Sequence, residues 1–293
     1  MKTLLQIVLI CFASSGFAQT LSLPPRPADT ADSDAFVKKI SALDLAARDE
    51  AVAKEFLAGN TPKFLRQFCA VTVTNVTAGK TNTATFFAAP DYLAIGSDEN
   101  YFLAPVSPAT AQRVADRLNC VLPTRKMVDA IYAAAAVKLT PSPIPPTTAM
   151  TTVPIFAQHN ETIRAQRMAL TNLFPLGALV AGHKKDVVIT ARLNGVTNKV
   201  AIYGWHQTNS QAIQPLYLGH VSWWVEWARA SASRQQRRKW RPPFCAWAKR
   251  NSACLPFAAP WRARRARGNN FHPIRWRDNP ARRRRWRCSF CQR

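Results

Sequence analysis

The sequence predicts an α+β domain, a mainly antiparallel sheet with helices packed against it, followed by an unstructured Arg/Trp-rich tail. Three observations carry that expectation. Segments with helical spacing and segments with β-type alternation come in groups rather than in strict alternation, which favours antiparallel pairing over a parallel α/β sheet. Pairs of β-branched runs flank short turn signals such as Ala78-Gly79-Lys80 and Asn194-Gly195, as hairpins do. Charge and periodicity both break at Trp227. Residues 1–227 carry 20 Lys and Arg against 15 Asp and Glu, whereas residues 228–293 carry another 20 against Asp278 alone.

In chain order, Met1–Ala18 reads as a secretory signal peptide. Lys2 is the basic start, Leu4–Phe12 the apolar core, and Gly16-Phe17-Ala18 a small-x-small cleavage site before Gln19. The apolar run is too short to span a bilayer, and no later segment is apolar enough, so no transmembrane segment is expected in the mature chain. The mature protein is expected to be secreted or periplasmic. Residues 19–32 are Pro-rich and extended. Ser33–Gly59 has helical spacing at Phe36, Ile40, Leu43 and Ala47, then at Val52, Phe56 and Leu57. One helix broken near Ser41–Leu45, or two short ones, fits that pattern. Gly59-Asn60 ends it. Phe68–Ala88 alternates valine with threonine and reads as a hairpin. Asp91–Ser97 and Tyr101–Val106 read as two short strands around Ser97–Asn100.

Ser107-Pro108 starts a helix, Ser107 as cap and Pro108 in the first position. Leu122-Pro123-Thr124 opens another, with Met127, Val128, Ile131 and Tyr132 on one face. The Pro/Thr-rich residues 140–154 are expected to run over the surface as a strap. Asn160–Leu173 reads as a helix with Ile163, Met168 and Leu170 inward and Glu161, Arg164 and Arg167 outward. A hairpin of Val187–Leu193 and Lys199–Trp205 follows, and then a third run, Ile213–Leu218. A single domain over residues 33–227 results.

The formal net charge of +24 would suggest a nucleic-acid or membrane partner, but it is concentrated in residues 228–293. No nucleic-acid partner is therefore expected for the folded body. The tail itself has three readings. It could be an Arg/Trp arm that binds phosphates and stacks bases, a cationic membrane-active segment, or GC-rich DNA translated out of frame. Arg229–Ser233 can be encoded by a string that, read two bases later, gives Gly-Ile-Arg-Leu. The out-of-frame reading makes the tail non-native or disordered.

Residues 23–226 also resemble a family of uncharacterised exported bacterial proteins. The resemblance rests on DYLAIGSDENY (Asp91–Tyr101), LPTRKMVDAI (Leu122–Ile131), MTTVPIFAQ (Met150–Gln158), GALVAGHKKDVVI (Gly177–Ile189), IYGWH (Ile202–His206) and IQPLYLGH (Ile213–His220). It implies a continuation Tyr-Ser-His-Gly-Ile-Arg-Leu after the last of these, where this chain has Trp227-Ala228-Arg229. That departure agrees with a frame offset. The resemblance supplies no reaction.

Three histidines flank the strands of the 180–220 region: His183, His206 and His220, with Asp186 beside the first. Imidazole and carboxylate serve as metal ligands or as acid and base, and strand ends are a usual place to build a site. Hairpin geometry puts His183, Asp186 and His206 towards one edge, where they would share a partly exposed pocket. His220 joins them only if the third strand ends there. Their spacing matches no compact zinc motif, so both the metal and the cofactor stay unassigned. The same residues can equally be separate, structurally bonded side chains.

Cys120, before a helix, could be a nucleophile, a disulfide partner of Cys69 or a buried thiol. Ser97 lacks the surroundings of a nucleophile elbow and reads as a turn residue. His159 reads as a helix residue. Lys184-Lys185 and Arg125-Lys126 could hold an anion or be solvated. Trp223, Trp224 and Trp227 could line a sugar or peptide groove or form the inner side of a last strand. Two functions remain. One is an envelope or secreted hydrolase working through His183, Asp186, His206 and His220 on an unknown small-molecule or envelope ligand. The other is a non-catalytic exported binding or structural protein.

Overall fold

The computed structural model describes residues 19–233; the expected signal peptide and residues 234–293 of the tail lie outside the described residues. Asp32 and Asp44 each cap a helix by accepting from the N–H three residues on. This divides the first helical stretch into α1 (Ser33–Ser41) and α2 (Leu45–Leu57), because a capping carboxylate satisfies donors that would otherwise be orphaned. Two hairpins follow. In the first, β1 (Cys69–Thr77) pairs with β2 (Lys80–Ala88). Its turn residues Ala78 and Gly79 both have positive φ, 50° and 73°, as the tightest hairpin turns require. In the second, β3 (Ala94–Gly96) pairs with β4 (Tyr101–Leu103), and the Ser97 hydroxyl accepts from the Asn100 N–H in the turn. Ser107 and Thr124 cap α3 (Pro108–Arg117) and α4 (Arg125–Ala134), as their positions before the apolar faces predict.

β5 (Val137–Lys138) leads into the strap and then α5 (Val153–Met168). β6 (Val180–Ala181) pairs in parallel with β5. β7 (Lys185–Val188), β8 (Lys199–His206) and β9 (Ala212–Val221) form an antiparallel sheet, β8 in the centre. β10 (Ser231–Ser233) adds to β2. The architecture is α+β with mainly antiparallel pairing. Phe36, Ile40, Phe56, Ile95, Phe102 and Ile163 are buried in its main core, between the helices and the short central strands.

Three boundaries differ from the sequence expectation. α5 starts at Val153, not Asn160. The proline at 154 sits in the first turn, where its missing N–H costs nothing, so it opens the helix rather than extending the strap. The helix is also turned. Arg167, expected outside, is buried and donates to the Pro175 carbonyl at 2.7 Å, while Met168, expected inside, is half exposed. Next, β7 ends at Val188. The Thr190 hydroxyl accepts from the Arg192 N–H and starts a single 3₁₀ turn over Ala191–Leu193, so Asn194-Gly195 lies in a longer connection instead of closing the hairpin. Finally, the packed body does not stop at Trp227. Ala228, Arg229 and Ser231 are buried, and Ser231 exchanges backbone hydrogen bonds with Val121.

Candidate functional site

The segment that carries His183 enters through Gly182. Its φ is +99°, and a Cβ there would lie 2.4 Å from the Leu139 carbonyl oxygen, so only glycine lets the chain pass this close. Three of the next four residues, His183, Lys184 and Asp186, enter a layer of buried charges. His183 Nε2 lies 3.0 Å from Asp91 Oδ1. Burial by itself would raise the Asp91 carboxyl, but His183, Arg229 and the Tyr92 N–H outweigh it and hold it below the ordinary range. Burial pulls the His183 imidazole down against the pull of Asp91. An ionised Asp91 only accepts, so His183 donates from Nε2 and its Nδ1 is a bare lone pair with no partner.

Lys184 is buried as well. Its Nζ lies 2.7 Å from His159 Nδ1 and 3.7 Å from the centre of the Trp227 ring, and burial lowers it well below the usual lysine value. His159 Nε2 donates to the Ser142 carbonyl at 2.7 Å, which leaves Nδ1 to accept from Lys184. Burial and then Lys184 push His159 down to about 3.

Asp186 completes this layer. Tyr92, kept protonated by burial, donates to Asp186 Oδ2 at 2.9 Å, while Oδ1 has no partner. Burial raises the Asp186 carboxyl to about 6, with Arg229 and Tyr92 opposing. Arg229 spans the layer. Its guanidinium stacks 4.5 Å from the Tyr92 ring centre and donates to the carbonyls of Ala89, Pro90 and Val180.

The three histidines do not converge. His183 is wholly buried on Asp91 and lines no open pocket. His206 turns instead to Asp129 Oδ1 at 3.2 Å, which also accepts from the Tyr203 hydroxyl at 2.6 Å, and stacks on Tyr132. Just before it, Trp205 takes a left-handed backbone, φ 57°, uncommon for a bulky residue; the β8–β9 register is irregular only earlier, between Val200 and Gly204, where the extra residues lie on β9. His220 is at the far end of the sheet. β9 runs antiparallel to β8, so His220 faces Val200 while His206 faces Ala212, about 20 Å of strand apart at 3.3 Å per residue. His220 and Lys185 both bond Glu226 Oε1, each at 2.9 Å. The expected pocket shared by His183 and His206 is replaced by three separate carboxylate pairs. One expected juxtaposition does occur: Asp186 and His206 line a common cavity, together with Lys184 and Arg229, of about 10 Å³, room for a single water.

Other expectations resolve simply. Cys69 and Cys120 are both free, so they form no disulfide. Burial pushes the Cys120 thiol up to about 12, which removes the thiolate a nucleophile needs. Lys184 is not a solvated surface cation. Trp227 is core, whereas Trp223 and Trp224 are exposed. Among the described residues, no group of three or more His, Cys, Asp or Glu side chains is placed to hold a metal ion.

The widest recess described has a volume of about 430 Å³ and lies elsewhere, between the α1–α2 junction, the start of α5 and the loop after β9. Leu43, Leu45, Trp223 and Trp224 line it, all more than a third exposed. Arg48 lines it too, although only 8% of its surface is accessible. The sequence pointed to the tryptophans but not to Arg48, nor to the carboxylates Asp91, Asp129 and Glu226. Asp91 opens the DYLAIGSDENY stretch, which is the one sequence signal that marks it. No family model, curated protein or solved structure matches the chain.

Proposed function

We propose that this is an exported, non-catalytic binding protein whose ligand sits in the recess of Trp223, Trp224, Leu43 and Leu45. One observation carries the reading. The chain closes each candidate histidine with its own carboxylate, yet leaves four large apolar side chains exposed around a recess of about 430 Å³. That volume falls in the range of roughly 300–1,000 Å³ of small-molecule sites. Isothermal calorimetry with a neutral aromatic probe, N-acetylphenylalanine amide, tests it: saturable binding is expected, weakened in Trp223→Ala and unchanged in His206→Ala. Loss of binding in His206→Ala with Trp223→Ala unaffected would place the ligand at the wrong end of this reading.

A hydrolase remains the second reading, favoured by the cavity that Asp186 and His206 share. It requires that His206→Ala and Asp186→Asn each abolish turnover of a chromogenic ester or amide at unchanged melting temperature.

A further inference from the structure

Arg48 stands out in the recess. Its NH1 donates to the Thr151 carbonyl at 3.1 Å and its guanidinium lies 5.7 Å from the Phe156 ring centre. Its Nε is buried without a partner, and no carboxylate among the described residues lies within ion-pair distance of it. The neighbouring Asp49 is already committed, since it accepts from both the N–H and the hydroxyl of Ser107. A guanidinium carries five donors, and leaving them idle near low-dielectric surroundings is costly. The start of α5 lines the same recess. Its capping residue Thr152 makes no capping bond; its hydroxyl donates to the Ala149 carbonyl at 2.8 Å. In the first turn of this 16-residue helix Pro154 has no N–H, so the Val153 N–H, which has no side-chain acceptor, is the donor beside the recess, and the positive end of the helix dipole there favours an anion.

We infer that the recess takes an organic oxyanion: an apolar or aromatic body against Trp223, Trp224, Leu43 and Leu45, and a carboxylate or phosphate held between Arg48 and the start of α5. The inference rests on the recess being the ligand seat and adds the charge. An arginine fork binds either oxyanion through paired hydrogen bonds, while the tryptophan faces supply flat apolar contact.

Calorimetry on the full chain with N-acetylphenylalanine and its amide isolates the charge without any mutation. The acid is expected to bind roughly tenfold or more tighter than the amide. Arg48→Gln should bring the acid down to the affinity of the amide and leave the amide unchanged. Arg48→Lys should keep only part of the difference, and the melting temperature of each variant reports whether it folds. Because the basic residues 228–293 attract any anion, the Arg48→Gln difference, not acid binding alone, is the supporting result. Phenyl phosphate separates the two sources: preference for it over the acid assigns a phosphate ester, and the reverse a carboxylate. Equal binding of acid and amide, or an Arg48→Gln protein that keeps the full preference, overturns the oxyanion inference while the recess stays the ligand seat. Failure of all three probes at millimolar concentration overturns both.

Discussion

Two regions of this molecule treat charge in opposite ways. In the layer around Asp91, His183, Lys184, Asp186 and Arg229, each buried group meets at least one partner within the chain, a carboxylate, a carbonyl, a hydroxyl or a ring. In the recess around Arg48, a nearly buried guanidinium meets one carbonyl and one ring and is otherwise unanswered, beside tryptophans left open. The first arrangement is what a fold needs to tolerate buried charge at all. The second is the arrangement on which the proposal of a bound oxyanion rests. Titratable groups gathered in one place are thus a poor guide to function here, because this layer is shut off from solvent even where His183 Nδ1, Asp186 Oδ1 and Arg229 Nε lack a partner, whereas the Arg48 recess is open.

Breaking the closed layer should cost the most where one residue answers several groups. Arg229→Ala takes a donor from the carbonyls of Ala89, Pro90 and Val180, of which Pro90 keeps the Val180 N–H, and removes the cation that opposes the burial of Asp91 and Asp186, so a loss of about 3–5 kcal/mol is expected in urea denaturation. A chain ended after Trp227 should fail to fold, whereas one ended after Ser233 should melt cooperatively. If Arg229→Ala costs less than about 1 kcal/mol, the layer does not frame the fold in the way its geometry suggests.

The acidity of Asp186 gives the next effect. Its folded value is raised to about 6 from the ordinary 3.8, so the native state holds that proton more tightly than the unfolded state does. The stabilisation is present in full below pH 3.8 and is lost as pH rises through about 6. Asp186→Asn lacks it. The stability of the wild type relative to Asp186→Asn should therefore fall across that window by up to about 3 kcal/mol. A flat difference curve would show that Asp186 ionises freely and that the layer is wetter than described.

Lys184→Met should be milder. Replacing a buried charge by an apolar side chain of similar length is often neutral or stabilising, and here it removes a cation that has no carboxylate in contact. The loss should stay within about 1 kcal/mol. With the lysine gone, the His159 titration followed by NMR should move up from about 3, because Lys184 is one cause of its depression. Smallest of all in stability is Trp223→Ala in the open recess, expected to shift stability by less than about 0.5 kcal/mol while weakening the amide probe. The two regions then separate cleanly: large stability cost without loss of binding in one, loss of binding without stability cost in the other.

Much of the fold was readable in sequence where the signal is local. Ser107 and Thr124 announce their helices, and the chain breaks between α1 and α2 near where the hydrophobic spacing does. The first hairpin turns on Ala78-Gly79 as its composition requires. The misses have equally local causes. Pro154 can end a strap or open a helix, and only packing of Phe156 and Ile163 into the core chooses the latter. Thr190 competes with strand pairing by bonding the backbone two residues on, as short hydroxyl side chains do. Of the candidate site, the residues were legible but their partners were not. His183 and Asp186 stand three positions apart in sequence and point to different groups, Asp91 and Tyr92.

By itself the sequence determined the order of elements, their caps and the antiparallel sense of the sheet, because those follow from side chains within a few residues of one another. Tertiary structure alone decided that His183 meets Asp91 across 92 residues and that His206 meets Asp129 across 77. It also decided that Arg229, in a stretch that reads as the start of a disordered tail, closes the buried layer, and that Arg48, from an ordinary helix turn, is left facing the tryptophan recess. Burial and charge pairing depend on what packs opposite, and nothing in the local sequence of either partner states what that will be.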